Sequence, residues 1–151
     1  MPFDFKKLTQ GGAISRITDP AALFDALPNK AAGYGYLRAV QKTILDAWSL
    51  RRVERDLVIK TNTGGGKTIA GLLILQACIH EGVAPALYLA PDPHLAQQVL
   101  DEGARLGLSM VDDPESNKFL SGGAICVTTM HVLINGKTRF GLAGATGRQP
   151  L

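Results

Sequence analysis

Lys67 and Thr68 close the stretch TNTGGGKT (61–68), where an ammonium and a hydroxyl follow three consecutive glycines. Glycines let backbone N–H groups turn inward around an oxyanion with no Cβ in the way. In such a loop the lysine reaches the outer phosphates of a nucleotide, and the Thr68 hydroxyl is placed to ligate Mg²⁺. The general pattern GxxxxGK followed by Ser or Thr wants glycine at position 61, where this chain has Thr61. The ending TGGGKT (63–68) fits the narrower TGxGKT form instead, so Thr63, Gly64, Gly65, Gly66, Lys67 and Thr68 are the candidate nucleotide-binding residues.

Such a cradle needs a strand to fix one end and a helix whose positive N-terminus points at the same spot. The chain offers both. DLVIK (56–60) is too short for a helix and apolar without alternation, as a strand covered on both faces would be. A helix is expected from Lys67 to His80, ending at Glu81 and Gly82.

Further elements follow in βα order. APALYLA (84–90) reads as a buried strand, and Pro93 to Leu106 as a helix with Asp92 as its cap and Pro93 in its first turn. AICVTT (124–129) reads as another strand, and MHVLI (130–134) as a short helix stopped by Asn135 and Gly136. Upstream, DPAALFDALP (19–28) has the cap and proline stops of a short helix. From Leu37 to about Arg52 a longer helix has Leu37, Val40, Ile44, Leu45 and Trp48 on one apolar face. The order predicts an α/β fold, a parallel sheet with flanking helices. Residues 1–30 read as an N-terminal arm with a short helix, 31–140 as the nucleotide-binding domain, and 141–151 as an unstructured tail.

Composition narrows the class. The 151 residues are 46% hydrophobic, enough for one core, and the net charge of +3 permits contact with a polyanion without demanding it. Cys78 and Cys126 sit inside apolar runs and read as core thiols, so a reducing compartment is expected. With no CxxC or HExxH there is no metal-site spacing, and with no signal-type or membrane-length apolar segment a cytoplasmic location is expected. The three histidines are dispersed, and RRVER (51–55) reads as a solvated helix end.

With TGGGKT, three more segments line up in order, and the set resembles the first RecA-like domain of superfamily-two helicases of the DEAD/DEAH-box type. YLRAVQKTIL (36–45) is similar to the family's glutamine motif, which would make Gln41 the reader of the adenine edge. LAPDPHLAQQ (89–98) resembles PTxxLAxQ, which holds the nucleic-acid backbone; Pro91, Leu95, Ala96 and Gln98 match, and Asp92 stands where threonine is common. ICVTTMHVL (125–133) resembles the strand whose terminal threonines, here Thr128 and Thr129, touch the same backbone. The resemblance covers residues 30–140 and implies a partial RecA-like P-loop NTPase domain, with ATP and Mg²⁺ as cofactors and DNA or RNA as partner.

In that family a strand bearing DExD or DExH follows the double-threonine segment, and here no Asp or Glu occurs beyond Thr129. LSMVDD (108–113) precedes that segment and is read as a strand end and turn. The resemblance thus implies an ATP-binding N-terminal lobe of a nucleic-acid helicase, unable to hydrolyse ATP or unwind alone. The alternatives are a stand-alone nucleotide-binding regulatory module, or one subunit of a split ATPase whose second RecA-like lobe is another polypeptide. A small kinase or GTPase is disfavoured, because NGKT (135–138) lacks the aspartate of a guanine reader.

Overall fold

A computed structural model describes residues 17–134, 138 and 140. The arm before Ile17, the stop expected at Asn135 and Gly136, and the 141–151 tail lie outside the described residues. In chain order the elements are α1 (Pro20–Ala26), α2 (Ala39–Arg51), α3 (Lys67–His80), β1 (Ala86–Ala90), α4 (Pro93–Leu106), β2 (Met110–Val111), α5 (Asn117–Leu120), β3 (Ile125–Thr129) and α6 (Met130–Ile134).

The three strands form one parallel sheet in the order β1–β3–β2. Ala86 pairs with Ile125 and Ala90 with Thr129, so β1 and β3 end level and their C-terminal ends open on the same side. All five residues of β3 are buried, as a central parallel strand with both faces covered requires. The α/β architecture expected from the order of elements is therefore present.

Local chemistry explains the helix limits. Asp19 Oδ1 accepts from the Ala22 amide at 2.7 Å and Asp92 Oδ1 from the Leu95 amide at 2.8 Å, each ahead of a first-turn proline. Gly107, at φ +81°, ends α4 in the left-handed conformation, with Leu108 N bonded to Gly103 O at 3.0 Å. The buried residues Ala96, Val99, Gly103 and Leu106 make one face of α4. Gly103 lets Met110 pack close: a Cβ there would stand 2.4 Å from the Met110 sulfur, so the methionine would have to move.

The core gathers around α3, which packs on α1, α2, α4 and β1. Ala70, Leu72 and Leu73 of α3 cluster with Leu23 and Phe24 of α1, Leu45 of α2, and Ile125 and Val127 of β3. A second cluster under β3 joins Phe119, Cys126, Leu133 and Phe140, with the two phenyl rings tilted 57° at 5.9 Å. Phe119 rides on α5, a four-residue helix too short to show a periodicity.

Two expectations fail. Residues 56–60 form no strand, and Val58 is 93% exposed. A strand exists only through its ladder, and among the described residues none runs beside this segment. An open groove of about 250 Å³ remains between it and α2, lined by Ile44, Ala47, Trp48 and Leu57 among others. In α2 itself Val40 is 47% exposed, while Gln41 is buried at 2%. The helix is turned so that Gln41, Ile44 and Leu45 face inward, because the amide finds partners there that a valine would not.

The basic run 51–55 is tied down as a helix end. Arg51 pairs with Glu54 at 2.6 Å on the surface. Arg52 pairs with Glu81, donates to Thr18 O at 3.2 Å and stacks 4.6 Å over Trp48.

Candidate nucleotide-binding site

The loop before α3 is built by its glycines. Gly64 and Gly66 hold φ of +80° and +74°, values that only glycine adopts without strain. Gly65 N donates to Asn62 O at 3.2 Å, closing the turn. A Cβ on Gly65 would stand 2.5 Å from Thr61 Oγ1, so the threonine at the usual glycine position is accommodated by the glycine at 65. Lys67 arches back over the loop, its Nζ 3.2 Å from Thr61 O. Gly66 O accepts the first helical bond from Ala70 N at 3.3 Å, and the amides at the start of this 14-residue helix are the orphan donors that make a helix N-terminus an anion site.

Gln41 anchors the loop from α2. Its Oε1 accepts from the Arg38 amide at 2.8 Å and its Nε2 reaches Gly66 O at 3.5 Å. The contact is close enough that a Cβ on Gly66 would come within 2.2 Å of Nε2. Arg38 Nη1 reaches Gly64 O at 3.4 Å from the same side.

Gln41, Gly64, Gly66, Lys67 and Thr68 line one cavity of about 340 Å³, so five of the sequence-derived nucleotide residues come together. Thr63 and Gly65 belong to the loop without lining that cavity. Gln98 lines it too, its amide 3.0 Å from His94 Nε2, apart from the threonines with which it was grouped. Thr128 and Thr129, 5% and 7% exposed, line a separate cavity at the strand ends with Pro93, Ala96 and Asp112. Thr129 Oγ1 also accepts from Val132 N at 3.4 Å, holding the turn into α6. Pro91 and Leu95 are exposed and line neither cavity.

Four neighbours escaped sequence reasoning. Arg38 and Glu102 line the loop cavity, and Tyr34 and Tyr36 line an adjoining one of about 260 Å³. The signal for Glu102 was its spacing from Gln98: i and i+4 share one face of α4. Tyr34 has its phenol pushed up from its ordinary value of 10.0 by burial and by its hydrogen bond to Glu102.

The remaining reactive groups are structural. His80 Nδ1 lies 2.6 Å from Ile17 O, and its Nε2 lies 2.9 Å from Gln76 Nε2. Burial, with Asp113 and Asp112 nearby, pushes the Cys126 thiol up to about 12, and it is an inert core thiol; Cys78 is half-buried rather than in the core, and burial raises its thiol too. LSMVDD ends as a short strand and turn, Asp113 Oδ1 accepting from Glu115 N at 2.9 Å. Among the described residues no cluster of His, Cys, Asp and Glu is arranged to hold a metal, and no helix is long and apolar enough to cross a membrane.

The comparisons agree with this geometry. The family model for DEAD/DEAH box helicases matches residues 38–139, from the arginine that abuts Gln41 to beyond the double threonine. No curated protein and no solved structure among those compared matches the chain. The matched span holds the glycine loop, the parallel sheet and both threonines, and on that ground the chain belongs to the DEAD/DEAH box helicase family.

Proposed function

We propose that this chain is an ATP-binding RecA-like lobe that holds Mg·ATP at residues 63–68. Helicases of this family use ATP with Mg²⁺ to act on nucleic acid. The observation that carries the proposal is the locked loop: Gly64 and Gly66 in the left-handed region, Lys67 and Thr68 beginning α3, and Gln41 wedged against Gly66. The residues fit the group, since the glycines leave open the approach that a Cβ would fill and the ammonium supplies the countercharge.

Each residue has a separable part. The Lys67 ammonium neutralises the outer phosphates, and the Thr68 hydroxyl is the Mg²⁺ ligand this chain would contribute. Gln41 orients the loop through its hydrogen bonds with Arg38 N and Gly66 O, which leave one N–H and one lone pair for the adenine edge. Pro91, Leu95, Thr128 and Thr129 sit around the C-terminal ends of β1 and β3, where the backbone of DNA or RNA would pass.

One observation favours a second reading, a subunit of a split ATPase: among the described residues no strand pairs with residues 56–60, and β1 is paired on one edge only.

Thermal unfolding with and without Mg·ATP tests the first reading. Saturating nucleotide raises Tm, and Lys67→Ala abolishes the rise; no shift with any nucleotide contradicts it. Mixing with a second RecA-like lobe while following nucleic-acid-stimulated ATP hydrolysis tests the split reading, which fails if no stimulation appears.

A further inference from the structure

The cavity beside Lys67 and Thr68 and the cavity beside Tyr34 and Tyr36 share four residues: Arg38, Gln41, Ile69 and Glu102. A ligand that fills both must be joined where those four meet. In a nucleoside triphosphate the joint between base and phosphates is the sugar. We propose that Glu102 binds the ribose hydroxyls, and that it makes this site select ribonucleotides over deoxyribonucleotides. The inference rests on the reading of the glycine loop as an ATP site and adds the recognition of the sugar to it.

The four shared residues are not equivalent. Gln41 is 2% exposed, and its amide is engaged by Arg38 N and Gly66 O. Ile69 has no polar atom to offer. The Arg38 guanidinium donates to Gly64 O and, as a cation, suits the phosphates. Glu102 alone brings only acceptors, which is what two vicinal hydroxyl donors need.

Charge points the same way. A carboxylate lining a phosphate cavity is repelled by the phosphate oxygens, so its favourable contact is with neutral donors further along the ligand. Glu102 reaches that position because it faces both cavities. It is also held in place: α4 is fixed below by Ala96, Val99, Gly103 and Leu106 in the core. A carboxylate has about four lone-pair sites to offer the hydroxyls of a sugar. The Gln98–Glu102 face of α4 thereby serves the nucleotide, whereas the Pro91 and Leu95 turn stays outside both cavities.

Isothermal titration of the full chain with the Mg²⁺ complexes of ATP, 2′-deoxy-ATP and 3′-deoxy-ATP tests the proposal. A hydrogen bond to a charged acceptor corresponds to about tenfold to a hundredfold in Kd, so ATP binds at least about tenfold tighter than one of the deoxy analogues. Glu102→Gln brings that preference below about threefold while Kd for the deoxy analogue holds, and Tyr34→Phe retains the preference. Equal Kd values for the three nucleotides on the unaltered chain, which need no variant to fold, overturn the assignment. So does a preference that survives Glu102→Gln. Lys67-dependent ATP binding without sugar preference refutes this inference alone; ATP binding that is absent or indifferent to Lys67→Ala refutes the phosphate site and the inference together.

Discussion

Replacing Gly66 by alanine should cost far more than replacing Gly64, although both glycines hold nearly the same backbone angle. Their φ values are +74° and +80°, so each alanine carries the left-handed penalty of about 1–2 kcal/mol. At Gly64 a new Cβ meets nothing within 4 Å, and that penalty is the whole effect. At Gly66 the Cβ would stand 2.2 Å from Gln41 Nε2 and 2.9 Å from its Cδ. Gln41 is buried and cannot swing into solvent, so it must give up its bonds to Arg38 N and Gly66 O. Two such bonds are worth about 0.5–1.5 kcal/mol each. Gly66→Ala should therefore destabilise by about 2–5 kcal/mol, against about 1–2 kcal/mol for Gly64→Ala. Urea unfolding with an unchanged slope measures both, and in a Gln41→Ala background the excess at Gly66 should vanish. Equal costs for the two alanines would refute the wedge between α2 and the loop.

Two further outcomes are expected. Asp92→Ala removes the cap that accepts from Leu95 N and should lower stability by about 1 kcal/mol without altering nucleotide binding; a changed nucleotide Kd would show that Asp92 acts at the site. Because burial raises the Cys126 thiol from 9.0 to about 12, the unfolded chain loses its proton first as pH climbs. Its contribution is then complete below pH 9.0 and is lost as pH rises towards about 12. Cys126→Ala should flatten that part of the urea-midpoint profile, and an unchanged slope would contradict the assignment.

Much of this arrangement was legible because short-range chemistry decides it. Asp92 and Pro93 set the start of α4, and the glycines mark the loop, since caps and left-handed turns depend on neighbours in sequence. Residues 57–59 have strand-like side chains, yet a ladder needs a neighbour that no local pattern supplies. Gln41 was marked only by the motif resemblance, on a helix whose expected apolar face included Val40; its burial is set by Gly66, 25 residues away. Gln98 followed the same logic. Its motif assigned it to the nucleic-acid side, while the packing of α4 beside the loop turned it, with Glu102, towards Lys67. Identities were readable; long-range approach was not.

The most direct test is to follow the backbone amides of Gly64, Gly65, Gly66, Lys67 and Thr68 by ¹⁵N NMR as Mg·ATP is added. These five should show the largest shift changes, saturating with one nucleotide per chain and disappearing in Lys67→Ala. Binding that moves other amides and leaves these five in place would contradict the account.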